Sequence, residues 1–442
     1  MPVSDGQAPS QGAILRFWAP LAATWLMMAA EGPFVAALIA RTTDPAVNLA
    51  AFGVAMAVAF VVEAPVVMLM SASTALVRDR GSLRAVRRFT YALCAVQTAP
   101  MALAAVPPVF GLLGDAVLAL PGEVARASHL AVAALLPWPA AIGYRRFYQG
   151  ILIRHGLTRR VAYGTVVRLV SMALAGVVLH LSGAVPGAVV GAGALSAGVV
   201  MEALASRLMV RQTLRAIHRG PVGEGIPLAT LLRFYLPLAL TTLMAFGITP
   251  LLTFFAARGR LPLESLAVLP VLNSLLFLFR APGIAFQEVS VALLGNGEEA
   301  RPALQRFGRS LALALTALLT VLAFTPLASF WYGRVAGLSP ALAALAVPPL
   351  RLLLPLPALE VALAFARGTL IYRRRTREVS LASAVELGVV TATLALAVGP
   401  LGAVGVAAAA WALLLGRLVA ATMLWRWAAA PARGWRLPDA MG

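Results

Sequence analysis

The chain has 442 residues, of which 61% are hydrophobic and 12% charged, with a mean hydropathy of +0.87. Soluble domains are about half apolar and about a quarter charged, so this composition excludes a string of water-soluble domains and points to a polytopic membrane protein. The formal charge of +19 comes from arginine alone, since the sequence contains no lysine, and most arginines fill short gaps between apolar runs, as in cytoplasmic loops rather than a nucleic-acid groove.

Residues 1–13 are small and polar, without the basic segment or cleavage motif of a signal peptide, and are expected to form a short cytoplasmic tail. Apolar runs able to cross a bilayer core of about 30 Å then predict helices over 14–40, 46–77, 88–113, 126–152, 161–181 and 185–209. Six more are predicted over 231–257, 263–294, 307–330, 340–372, 379–398 and 402–428. The fold class expected is therefore an all-α polytopic membrane protein with twelve transmembrane helices. Gaps at 78–88, 154–160, 207–219, 301–309 and 373–377 are rich in Arg, whereas 182–187 and 399–402 are uncharged and 114–126 is mixed. Every even-numbered loop is thus basic, which predicts two cytoplasmic termini in a bacterial-type inner (plasma) membrane.

The stretch LLPWPAAIGYRRFYQGILIRHGLTRRV at 135–161 returns as LLPLPALEVALAFARGTLIYRRRTREV at 353–379. Pro137 and Pro139 fall on Pro355 and Pro357, and Gly150 falls on Gly368, at an offset of 218. RFWAPLA at 16–22 matches RFYLPLA at 233–239 at an offset of 217, which also carries Pro33 to Pro250 and Pro65 to Pro282. This repeat predicts two lobes, 1–222 and 223–442, joined by a linker from Arg219 to Thr230. Six helices per lobe give both the same topology, hence six-helix bundles related by a pseudo-two-fold axis along the membrane normal. Cys94 is the single cysteine, so no internal disulfide forms.

An ionisable side chain at membrane depth costs about 2.5 to 3.5 kcal/mol on insertion scales, which makes each one a candidate site. The five aspartates, Asp5, Asp44, Asp79, Asp115 and Asp439, fall in tails or loops, so the intramembrane acids are all glutamates. The candidates for a substrate or coupling-ion path are Glu31, Arg145, Arg146, Glu288, Arg351 and Glu360. Glu31 and Glu288 are the candidate proton carriers, and Arg suits carboxylates and phosphates because its planar fork binds them bidentately. The repeat places Glu63 on Arg280 and Arg168 on Glu386, exchanging sign both times, which predicts Glu63–Arg168 and Arg280–Glu386 as intramembrane ion pairs. The path candidates are equally compatible with interhelical pairs or with side chains that snorkel to the interface. A P-loop is impossible without lysine, H-E-x-x-H is absent, and His129, His155, His180 and His218 are scattered, so no enzyme and no metal site is expected.

RFWAPLAAT at 16–24, AFGVAMA at 51–57, GILIRH at 150–155 and VPPLRLLLPLP at 347–357 give the chain its family likeness. It resembles the progressive ankylosis (ANK) branch of the multidrug/oligosaccharidyl-lipid/polysaccharide (MOP) exporter superfamily, which also holds the MATE transporters. The resemblance implies two bundles forming a V, a central cavity open to one side at a time, and lobes that rock. It further implies export of small multivalent anions of the pyrophosphate, nucleotide or citrate kind, with Glu288 and Arg351 at polar positions of that family. The chain departs from the pattern in lacking a long acidic C-terminal tail and in the placing of its first-helix acid. MATE transporters often use an Asp in the first helix for ion coupling, and this chain has none there. The expectation is an alternating-access exporter of a small anionic solute, ion-gradient driven by H+ or Na+ and without a cofactor. A cationic or amphipathic multidrug exporter, a lipid-linked flippase and a non-transporting membrane scaffold are the alternatives. Its partners would be the solute and the lipid bilayer, with no nucleic acid, and the protein would be a monomer.

Overall fold

The computed structural model describes residues 9–114, 118–294, 298–373 and 375–430. Asp5, Asp115, Asp439 and most of the expected N-terminal tail lie outside them. The described chain is helical, with one isolated bridge between Arg260 and Val404. Its first half comprises α1 (Gln11–Ala29), α2 (Glu31–Ile39), α3 (Pro45–Glu63), a 3-10 turn (Ala64–Met68), α4 (Leu69–Leu76), α5 (Arg80–Ala104) and α6 (Pro107–Leu112). There follow α7 (Gly122–Ala134), α8 (Trp138–Arg154), α9 (Thr158–Ser182), α10 (Gly187–Met209) and α11 (Arg211–Arg219). The second half comprises α12 (Leu228–Phe246), α13 (Ile248–Ala256), α14 (Pro262–Leu294), α15 (Arg301–Phe324), α16 (Leu327–Ser329), α17 (Pro340–Leu352), α18 (Leu356–Tyr372), α19 (Thr376–Val398) and α20 (Gly405–Ala429).

Proline sets most of the breaks. It has no N–H to donate and its ring crowds the preceding turn, so a helix yields near it unless neighbours hold it. The spans expected at 14–40 and 231–257 each divide, at Ala30 and at Gly247, three residues before Pro33 and Pro250. The 46–77 span is interrupted by the 3-10 turn at Pro65, whereas α14 runs unbroken through Pro270 and Pro282. The expected 340–372 helix is α17 and α18, bent by 45°.

Among the described residues, nine helical segments are long and apolar enough to cross a membrane, or ten if that bent pair is one span, against the twelve expected. The shortfall lies at 88–113 and 126–152. α5 starts at Arg80 and so carries Arg80, Arg84, Arg87 and Arg88, while α8 carries Arg145, Arg146 and Arg154, and these charges depress both segments. The loop expected at 207–219 is also mostly helix, since α10 runs to Met209 and α11 follows with Thr213, Leu214 and Ile217 buried beneath an arginine face. The chain is nonetheless a multi-pass helical membrane protein by length and composition.

Several hydrogen bonds cross from one half to the other, two of them at positions that correspond in the repeat. Trp18 of α1 donates its indole N–H to the carbonyl of Pro282 in α14 at 3.0 Å, and Tyr235 of α12 donates its hydroxyl to the carbonyl of Pro65 in the 3-10 turn. At another seam Arg41 donates to the carbonyls of Arg334 and Val335 at 2.7 and 3.2 Å. Basic side chains also satisfy helix C-termini, whose last carbonyls lack intrahelical donors. Arg154 bonds Thr74 O, Arg160 bonds Met209 O, and Arg301 and Arg373 both bond Ala428 O. Outside the spans, Asp79 caps α5, and its bond from the Ser82 amide holds its carboxyl below the usual carboxylate range.

Candidate functional site: two buried charge clusters

The first cluster gathers on α8, α9 and α10, with contributions from α2 and α3. α8 can cross α4 closely because Gly150 lacks a Cβ, which would overlap the carbonyl oxygen of Met70 and the hydroxyl of Ser73. One turn apart on α8, Arg145 and Gln149 share a face, and both donate to Glu202 Oε1 of α10, at 2.9 and 2.8 Å. Arg168 of α9 donates to Glu31 Oε2 at 2.5 Å and lies 3.8 Å from Glu202 Oε2. Its guanidinium carbon sits 5.8 Å from the Trp138 ring centroid, a cation–π distance. Trp138 in turn donates its indole N–H to Glu63 Oε2 through a short hydrogen bond. Glu202 is 1% exposed, and Glu31, Glu63, Arg145 and Arg168 are all buried too. Arg146, less buried, turns to Met70 Sδ at 3.6 Å. The cluster therefore holds three carboxylates and three guanidiniums. Glu63 differs from the other two acids: among the described residues no Arg lies within 4.0 Å of it.

The second cluster occupies α14, α18, α19 and α20. Gly368 lets α18 pass α14, since a Cβ there would stand 2.8 Å from Ser290 Cβ. Arg280 Nε and Nη2 both reach Glu360 Oε2 at 2.8 Å. Arg417 lies between the two acids, 3.9 Å from Glu360 Oε2 and 3.1 Å from Glu386 Oε1, the latter without the alignment of a hydrogen bond. Arg367 Nη2 stands 3.8 Å from Glu386 Oε2. Three guanidiniums thus share two carboxylates. The side chains of Arg280 and Arg367 are 21% and 20% exposed, against 4% for both glutamates, so the surplus cation sits on the open side.

These positions revise the expected pairing. Glu63–Arg168 and Arg280–Glu386 do not pair directly: Arg168 is taken by Glu31 and Glu202, and Arg280 by Glu360. The reason is reach, because α2 and α10 present acids to Arg168 while Glu63 meets the indole of Trp138. Of the path candidates, Glu31, Arg145 and Arg146 belong to the first cluster and Glu360 to the second. Glu288 and Arg351 belong to neither. Glu288 is exposed and accepts a 3.3 Å bond from Trp25, and Arg351 is exposed, donates to Ala323 O at 3.2 Å and lies 4.9 Å from the Phe324 ring. Trp138, Gln149, Glu202, Arg367 and Arg417 are cluster members that the sequence reading misses. The repeat held a signal for one of them, since its offset of 218 places Gln149 on Arg367.

Breaking a buried ion pair by removing one partner costs about 3 to 5 kcal/mol, because the other charge is stranded. The first cluster meets this by matching its charges; the second leaves guanidinium donors open to a further acceptor. Among the described residues no three His, Cys, Asp or Glu side chains gather as metal ligands would. An apolar cavity of about 300 Å³ lies apart from both clusters, between Pro65, Phe89, Leu93, Tyr235 and Ala239.

Neither a protein-family model nor a curated protein matches this sequence. Solved structures do. The chain is similar to an inward-facing multidrug resistance MATE family transporter of the MOP superfamily, with a TM-score of 0.69, 18% identity, and 92% of this chain and 93% of that one covered. It is similar to the lipid II flippase MurJ in an inward closed conformation, with a TM-score of 0.71, 12% identity, and coverage of 92% and 86%. A third likeness is to a MOP superfamily transporter from Pyrococcus furiosus, described as having a binding pocket of reverse polarity, with a TM-score of 0.59, 15% identity, and coverage of 96% and 98%. At these identities the likeness defines the fold: an all-α membrane fold of the MATE/MOP type.

Proposed function

We propose that the chain is an alternating-access exporter, with lobes 1–222 and 223–442, that moves an amphipathic organic solute across the membrane. The observation that carries this reading is the pair of buried charge clusters, one in each half on corresponding helices. Ions this costly are kept at depth where something polar must pass. The MATE and MurJ likenesses favour this reading over a scaffold or an enzyme. The reciprocal bonds Trp18 to Pro282 and Tyr235 to Pro65 support two six-helix lobes related by a pseudo-two-fold, since each half gives the same position to the other. In this reading Glu63, held by Trp138 and free of an arginine partner, is the proton carrier. The basic ends of the helices face the cytoplasm of a plasma (inner) membrane, and both termini lie there.

A small anionic solute, of the kind moved by an ANK-like exporter, is the second reading, and the surplus guanidinium of the second cluster favours it. Purified protein in liposomes tests both. Uptake of a cationic dye is compared with that of citrate, pyrophosphate and ATP, with and without a proton gradient. Gradient-dependent flux that Glu63→Gln uncouples is expected. No flux of any solute by folded protein would contradict the exporter, and flux of the dye alone would discard the anionic reading.

A further inference from the structure

We propose that Arg280, Arg367 and Arg417 form a binding site for one oxyanion group of the phosphate type, borne by an amphipathic molecule. The site's place in transport rests on the exporter reading; its existence rests on geometry alone. Three guanidiniums converge from α14, α18 and α20 upon two carboxylates, so among the described residues one positive charge lacks a protein counterion. Glu360 engages Arg280 closely, but Arg367 has only a 3.8 Å contact with Glu386, and Arg417 meets Glu386 without hydrogen-bond alignment. Among the described residues Arg367 makes no hydrogen bond, so its donors are the ones available to a ligand, and its side chain is accessible.

Guanidinium forks match pairs of phosphate oxygens, and donors from three helices suit a tetrahedral acceptor better than a planar one. An acyl or alkyl tail on the ligand would lie among the apolar helices. The first cluster is less suited, because its three guanidiniums are matched in number by three carboxylates and the one without a direct carboxylate contact, Arg146, turns to Met70 Sδ. Glu360 and Glu386 keep the arginines from repelling one another while the site is empty, and an incoming oxyanion would relieve Arg367 first.

The test is calorimetric titration of the full chain in an uncharged detergent with decyl phosphate, inorganic phosphate and decyltrimethylammonium. Decyl phosphate is expected to bind, Arg367→Gln to weaken it about tenfold or more, and Arg306→Gln, an exposed arginine outside the cluster, to leave it unchanged. Equal binding of inorganic phosphate would assign the free ion as the source, whereas preference for the alkyl ester assigns an amphiphile. Unaltered binding by Arg367→Gln, or equal binding of the ammonium amphiphile, would overturn the site. Should Arg367→Gln not fold, Glu386→Gln decides: tighter phosphate binding supports the proposal, and equal or weaker binding refutes it. Solute flux in liposomes without phosphate binding would refute this site and leave the exporter standing; binding without flux would do the reverse.

Discussion

The N-terminal and C-terminal halves bury charge on corresponding helices, yet the first cluster is balanced and closed while the second has one guanidinium too many and is partly open. Both clusters draw on three successive helices, α8 to α10 in the first and α18 to α20 in the second. What differs is sign: Glu63 stands where Arg280 stands, and Arg168 where Glu386 stands. Corresponding helices can therefore carry two differently charged clusters, one with charges matched in number and one with a surplus guanidinium. Burial makes that difference consequential, since an unmatched charge at the surface would be screened by water and salt.

Substitutions in each half can break or sharpen this contrast. The largest effect is expected at Glu202, which Arg145, Gln149 and Arg168 all use: Glu202→Ala should destabilise the protein by about 3 to 5 kcal/mol, read as a lowered melting temperature in detergent. Gly150→Ala should follow, at about 1 to 3 kcal/mol from overpacking against the α4 backbone. Gly368→Ala should cost less, because the added Cβ would meet Ser290 Cβ at 2.8 Å and the Gln287 carbonyl at 3.2 Å, a milder overlap than at Gly150. Trp138→Phe removes the donor to Glu63 and should cost about 1 to 3 kcal/mol, with a shift in the pH dependence of transport that a purely packing role would not produce. The smallest effects should be a matched pair, Trp18→Phe and Tyr235→Phe, each about 1 kcal/mol. Clearly unequal losses would argue that these two bonds between the halves are not equivalent.

Much of this arrangement was legible in the residues. Composition announced the membrane, and eight of the ten candidate ions lie in the two clusters, all but Glu288 and Arg351. Partner choice was not legible. The exchange of sign at Glu63 and Arg168 invited pairing them, but which guanidinium meets which carboxylate depends on helix rotation and on neighbours such as Trp138 that carry no charge. Arg351 misled for a related reason: a long side chain near a helix end reaches a free carbonyl, here Ala323 O, rather than the middle of the bundle. The span count failed where arginines sit within α5 and α8, because hydropathy averages the arginine-bearing part of a helix together with its apolar part.

Crystals soaked in tungstate, a heavy tetrahedral oxyanion, would test the contrast between the halves most directly through an anomalous difference map. A peak among Arg280, Arg367 and Arg417, with none among Arg145, Arg146 and Arg168, is the predicted result. A peak only in the N-terminal cluster, or equal peaks in both, would contradict it.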